Sequence, residues 1–136
     1  MYIIMSVLLT LEIPGLPPTV NQMYRNTSTH RYKRPEVKDW QEDIASLMSK
    51  QWNRKAVTPS AVKAPCCRRV AVVVTFTVKS RRSWDMDNRL KALLDCLEIG
   101  GVIANDNQID ALNVTRHKGQ EEKTSLILLE YERDKE

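Results

Sequence analysis

Histidine and paired cysteine are scarce in this chain of 136 residues, and each scarcity excludes a class of site. Two histidines, His30 and His117, cannot supply a His-rich metal cluster. The three cysteines (Cys66, Cys67 and Cys96) are odd in number and lack CxxC spacing. That argues against a disulfide framework or a zinc site and makes a reducing cytoplasm the expected location. No apolar run approaches the ~20 residues of a membrane span, so no membrane role is expected. The apolar start, Met1 to Leu11, has no Lys or Arg before it and no small-residue cleavage site after it. Glu12 continues an alternating pattern, so a strand is expected there rather than a secretion signal, with Met5 as an alternative start.

What remains is the composition of a soluble globular protein, 42% hydrophobic and 28% charged. The length suits one domain over residues 1–136, and a chain of this size buries roughly two-thirds of its unfolded surface without needing a staple. The net charge is +4, unevenly spread. From Lys50 to Arg69 there are six basic residues and no acid, and Lys79, Arg81 and Arg82 follow the next apolar run. Tyr24, Arg25, His30, Arg31, Tyr32, Lys33 and Arg34 interleave aromatics with cations. The acids gather around residues 85–87 and after Gln120. This pattern suits contact with a polyanion, and it equally suits solvated loops of a mildly basic protein.

Val7, Leu9, Leu11 and Ile13 alternate as in a half-buried strand, which Pro14, Gly15, Pro17 and Pro18 stop. Residues 14–34 then read as a long loop. Val37, Trp40, Ile44, Leu47 and Met48 recur at helical spacing and predict a helix over 35–51. Residues 53–68, with Pro59 and Pro65 and no period, read as another loop. Residues 70–78 are β-branched and bounded by charge, the clearest strand. Leu90, Leu93, Leu94 and Leu97 predict a helix over 86–98, closed by a left-handed cap at Gly100–Gly101. Strands around Leu112–Thr115 and Ser125–Tyr131, joined by a polar turn at 118–123, complete the order βαβαββ. The expected fold is α+β: two layers, a mixed β-sheet with the helices packed on one face.

Asp85-Met86-Asp87-Asn88 stands where the best strand meets the best helix. A helix start favours acids through its unpaired N–H groups, so a lone DxD reads equally well as a cap. The neighbours shift the balance. Lys91 and Asp95 follow Asp87 at i+4 and i+8 along one edge of the helix, and Asp106 lies among Asn105, Asn107 and Gln108. An ion-pair ladder and an ordinary Asx turn are the plain readings of these two features. Together they can also converge on one hard cation of the Mg²⁺ or Mn²⁺ type. Such an ion polarises a phosphoryl oxygen, and Lys91 could offset the charge that builds on the phosphate. An EF-hand is excluded, because Leu90 and Cys96 occupy the positions of its glycine and glutamate. Arg89 departs from the haloacid-dehalogenase pattern. A glycosyltransferase DxD stays formally open, although the chain leaves little room for a nucleotide-sugar domain.

The run from Trp84 to His117, Asp-x-Asp-Asn-x-x-Lys-x-x-x-Asp-x-Leu followed by a Gly-containing turn and Asn-Asp-x-Gln-Ile, resembles the RusA family of crossover-junction endodeoxyribonucleases. Leu16-Pro-Pro-Thr-Val-Asn21 with Tyr24 and Arg25 is similar to that family's Pro-Pro-x-x-Asn segment. The resemblance implies Asp85, Asp87 and Asp106 as catalytic metal ligands and Lys91 as the essential basic residue. It also implies Mg²⁺ dependence (with Mn²⁺ as a substitute), a homodimer, and paired nicks across four-way or branched DNA in recombination and repair. Asn21, Arg25, Arg81 and Arg82 are the candidate DNA contacts. Two positions depart from the family pattern: Asn105 stands where an Asp is frequent, and Trp84 where a basic residue is frequent. The alternatives are a branched-DNA-binding dimer that no longer cuts and a metal-dependent hydrolase of small phosphates.

Overall fold

The computed structural model describes residues 2–56, 62–80 and 86–133. Strand β1 (Tyr2–Pro14) leads to a short helix α1 (Val20–Met23) and a hairpin of β2 (Tyr24–Asn26) and β3 (Arg31–Lys33). Helix α2 (Pro35–Asn53), strand β4 (Val70–Val78), helix α3 (Leu90–Ile99), and strands β5 (Ile109–Lys118) and β6 (Lys123–Arg133) follow. The main sheet runs β1-β6-β4-β5, with β5 parallel to β4 and the other pairs antiparallel. The α+β reading with a mixed sheet therefore holds.

Strand β4 shows why the layers form. Val70, Val72, Val74, Phe76 and Val78 are buried while the residues between them are half-buried, so one face is the core. Leu9, Leu11, Ile13, Leu126 and Leu128 extend that face across β1 and β6. Onto it pack the apolar stripes of α2 (Ile44, Ala45, Met48, Trp52) and α3 (Leu90, Leu93, Leu97). Burying such side chains stabilises the fold by roughly 1.5–3 kcal/mol each.

The element order is longer than the sequence suggested. Residues 14–34 are not one loop, because α1 and the β2–β3 hairpin interrupt them. Strands of three residues carry no usable period, which is why the hairpin escapes pattern reading. Helix α1 is announced only by its cap, where Gln22 Oε1 accepts the Thr19 N–H at 3.0 Å. The helix expected from residue 86 begins as a 3₁₀ turn, Asp87–Arg89, and becomes α-helical at Leu90.

The two glycines after α3 act for different reasons. Gly101 has φ +71, and Val102 N–H donates to Leu97 O (2.9 Å) while Gly101 N–H donates to Glu98 O (3.0 Å), a Schellman closure. Gly100 is needed for proximity, since a Cβ there would sit 2.8 Å from the Ala45 carbonyl oxygen of α2. The described part of the loop after α2 is pinned to Trp52. Its indole donates to Ala64 O (3.2 Å), Lys63 Nζ lies 3.9 Å from its ring, and Asn53 Oδ1 accepts the Lys63 N–H (3.0 Å). Lys55 donates to the carbonyls of Val7 and Leu8, where the β1–β6 register shifts. Its ammonium pKa is lowered by desolvation and by the charge of Lys63.

Candidate active site

The candidate residues divide between the two ends of the sheet. At the Val78 end the chain leaves β4 and returns through Asp87. Asp85, Arg81 and Arg82 lie outside the described residues. Asp87 is exposed in its 3₁₀ turn, and Lys91 is exposed one turn into α3. Lys91 Nζ is 3.6 Å from Asp95 Oδ2, with both side chains partly in solvent. Of the row expected on this helix, Lys91 and Asp95 form an ion pair, while Asp87 stands on the 3₁₀ turn before it.

Three packed segments surround that helix start. Arg89 Nη1 donates to Pro17 O at 2.7 Å and ties the Pro17–Pro18 segment to the turn that carries Asp87. Asn21, on α1, and Arg25, on β2, are both exposed. Arg31 stacks its guanidinium 4.1 Å from the Tyr24 ring centroid, which stiffens the hairpin. The hairpin is joined to α3 by Gln41, which is 1% exposed. Its Oε1 accepts from Lys33 Nζ (2.6 Å), and its Nε2 donates to Ala92 O (3.0 Å). Pattern reading passed over Arg89 and Gln41. A signal for Gln41 existed, because it interrupts the apolar stripe between Val37 and Ile44.

Cys96 faces inward on α3, fully buried, with its Sγ 3.2 Å from Ala92 O. Burial, with help from Asp95 and against the opposing charge of Lys33, pushes its thiol up to about 12. It stays protonated and is no nucleophile.

At the Val70 end, Asp106 opens the 3₁₀ turn Asp106–Gln108. The surrounding amides shape this turn. Asn105 Oδ1 accepts the Asn107 N–H (2.9 Å), and buried Gln108 accepts from Ala104 and Asn105 N–H (2.8 Å each). Gln108 Nε2 donates to Cys66 O (2.7 Å) and Arg68 O (2.9 Å). The Asp106 N–H donates to a Glu98 carboxylate oxygen, and the Asp106 side chain is exposed. Arg69 clamps Asp110 and Asn107 O beside it.

Topology sets the distance between the two ends. Strands β4 and β5 are parallel, Val70 opposite Ile109 and Val78 opposite Lys118, so the turn before β5 lies at the start of β4. Asp87 comes after the end of β4, and α3 spans the length between. From Asp87 to Glu98, which holds the Asp106 backbone, the helical path is about 16 Å at 1.5 Å per residue. Mg²⁺ holds its ligands at about 2.0–2.1 Å, a span short beside the length of α3 that separates the turns carrying Asp87 and Asp106 in one chain. Among the described residues no group of three or more His, Cys, Asp or Glu is placed to bind a metal.

Comparison with known proteins gives two findings. The family model described as endodeoxyribonuclease RusA matches residues 14–128, a span that contains the Pro-Pro segment, Asp85, Asp87, Lys91 and Asp106. The crossover junction endodeoxyribonuclease RusA of Aquifex aeolicus (strain VF5) is 30% identical over 114 residues, covering 82% of this chain and 83% of that relative.

Proposed function

The chain belongs to the RusA family of endodeoxyribonucleases, and from that membership we propose that it resolves four-way DNA junctions by paired symmetric nicks, as a Mg²⁺-dependent homodimer. Family membership makes it a phosphodiester hydrolase. The observation that carries the finer reading is the Asp-x-Asp-Asn-x-x-Lys…Asn-Asp spacing lying intact inside the matched span. No helix among the described residues is long and apolar enough to cross a membrane, which is compatible with action on cytoplasmic DNA.

Asp85, Asp87 and Asp106 are the proposed acidic residues and Lys91 the proposed cation. The separation between the two sheet ends supports assembly in trans, with Asp85 and Asp87 of one protomer facing Asp106 of its partner. An isologous twofold interface that makes this contact once makes it twice, giving one site per strand to be cut. Mg²⁺, or Mn²⁺ in its place, would there polarise the phosphoryl oxygen. Lys91 is available for the phosphate because its exposed pair with Asp95 stabilises the protein by under about 1 kcal/mol. Asn21, Arg25, Arg81 and Arg82 supply flanking contacts to the strand.

The test is a synthetic junction, incubated with and without Mg²⁺, and a mixing experiment. Asp87→Asn and Asp106→Asn homodimers should each bind the junction without cutting it. After subunit exchange, a heterodimer has one site carrying both substitutions and one carrying neither. About a quarter of wild-type sites should then return, as single nicks rather than paired cuts. Heterodimers confirmed by differential tags that remain inert would overturn assembly in trans. A wild-type protein that leaves the junction uncut would overturn the resolvase reading.

A further inference from the structure

A cavity of about 280 Å³ lies between the Pro17–Pro18 segment, the start of α2 and Arg89. Leu16, Pro17, Pro18, Val37 and Trp40 give it an apolar wall, while Gln22, Arg34, Glu36 and Arg89 supply its polar groups. It falls just below the ~300 Å³ at which small-molecule pockets begin, so it suits a foothold on a strand better than a free ligand.

Three independent features give it a taste for anions. Arg34 Nε is shut off from solvent and has no hydrogen-bond partner among the described residues. A buried donor left unmade costs about 1–3 kcal/mol, which a turn of the Arg34 side chain toward an acceptor in the cavity would recover. Arg89 is held at the wall by its 2.7 Å hydrogen bond to Pro17 O, so its guanidinium is pre-positioned. The positive end of α2, a helix of 19 residues, opens at the same place, with Arg34 as its N-cap. Against these stands Glu36, exposed in the first turn and the one acidic residue among those lining the cavity.

We propose that this cavity is a phosphodiester subsite, where Arg34 and Arg89 hold a DNA backbone phosphate beside the one that reacts. The inference rests on DNA being the substrate. Arg89 is two residues from Asp87, so a strand passing the helix start meets this cavity next. The fork of a guanidinium matches a phosphate, and the proline and tryptophan wall accepts the attached deoxyribose. Positioning the strand here fixes which phosphate reaches Asp87.

The experiment follows Arg34 Nε–Hε by NMR in the ¹⁵N-arginine-labelled full chain, during titration with a short single-stranded oligodeoxynucleotide, inorganic phosphate or matched chloride. The DNA oligomer should shift the signal and slow its exchange, and chloride should not. In parallel, the junction affinity of the Arg34→Gln protein should show a log–log salt slope lower by about 0.9 per subunit, the mark of one lost phosphate contact. Arg34→Lys should recover the slope but less of the affinity, because charge returns without the fork. Replacing single phosphates by neutral methylphosphonates should reveal one position that weakens wild type and leaves Arg34→Gln unaffected. Circular dichroism confirms that each variant is folded. Wild-type protein that binds and cuts junctions while Arg34→Gln keeps the full salt slope would overturn the subsite and leave the nuclease reading standing. A response to inorganic phosphate alone would overturn the DNA assignment. Wild-type protein that neither binds nor cuts the junction would instead remove the nuclease reading itself.

Discussion

The two ends of the sheet are built in opposite ways. At the Val70 end, Asp106 sits on a turn whose backbone is committed by Asn105, Gln108, Glu98 and Arg69. At the Val78 end, Asp87 and Lys91 stand on a 3₁₀ turn and the first turn of α3, and a half-exposed ion pair is the one charged contact Lys91 makes among those described. One carboxylate is presented by a rigid frame. The other, with its lysine, is presented where the side chains keep rotamer freedom until something binds. A cation or phosphate arriving at the Val78 end thus meets groups it can draw in, while Asp106 is already placed.

That contrast can be broken by experiment. The largest effect should come from Lys91→Ala. Cleavage of a saturating junction should slow about 100-fold, the scale of a single group that stabilises transition-state charge. The denaturation midpoint should barely move. A drop in stability matching the drop in rate would make Lys91 a structural residue and erase the contrast. Next comes Gln108→Ala, which leaves Cys66 O and Arg68 O without their donor inside a nearly closed turn. We expect about 2–3 kcal/mol of destabilisation by urea titration. If cleavage collapses while stability holds, the Val70 turn does not act as a rigid frame.

The effect that vanishes at neutral pH concerns Cys96, buried on the inner face of α3. Its thiol pKa in the folded protein, about 12, lies above the ordinary value of 9.0. The unfolded chain therefore loses this proton first as pH rises. The contribution is fully present below pH 9.0 and is lost progressively between 9.0 and about 12. Cys96→Ser should flatten this part of the stability–pH curve, and an unchanged curve would show that the thiol is not desolvated.

Much of the fold was legible because long elements write their period into the sequence. Strand β4 spans the residues expected, 70–78, and α2 runs two residues past its expected end. The β2–β3 hairpin was not legible, since three-residue strands hold no period and the hairpin is held by the Arg31–Tyr24 stack inside it and by the bond from Lys33 to Gln41 of α2. The chemistry of the site was visible as residue types, but its geometry was not. Nothing in the spacing from Asp87 to Asp106 says that β4 and β5 run parallel. Yet a strand, a helix and a parallel strand must return the chain to the end from which it started. The Arg34–Arg89 cavity was invisible for a simpler reason: it joins residues from three segments, and nothing in the sequence says that they meet.

The strand order β1-β6-β4-β5 also governs how the molecule can assemble. The last strand is the one that fills the middle, pairing β1 on one side and β4 on the other, with Ile13 opposite Thr124 and Val73 opposite Ile127. Until the ribosome has released β6, β1 has no sheet neighbour among the described strands and β4 keeps one open edge. Closure of the sheet is therefore a late, long-range event, slow by the standards of local contacts, during which the apolar strands of a nascent chain need protection from pairing with one another.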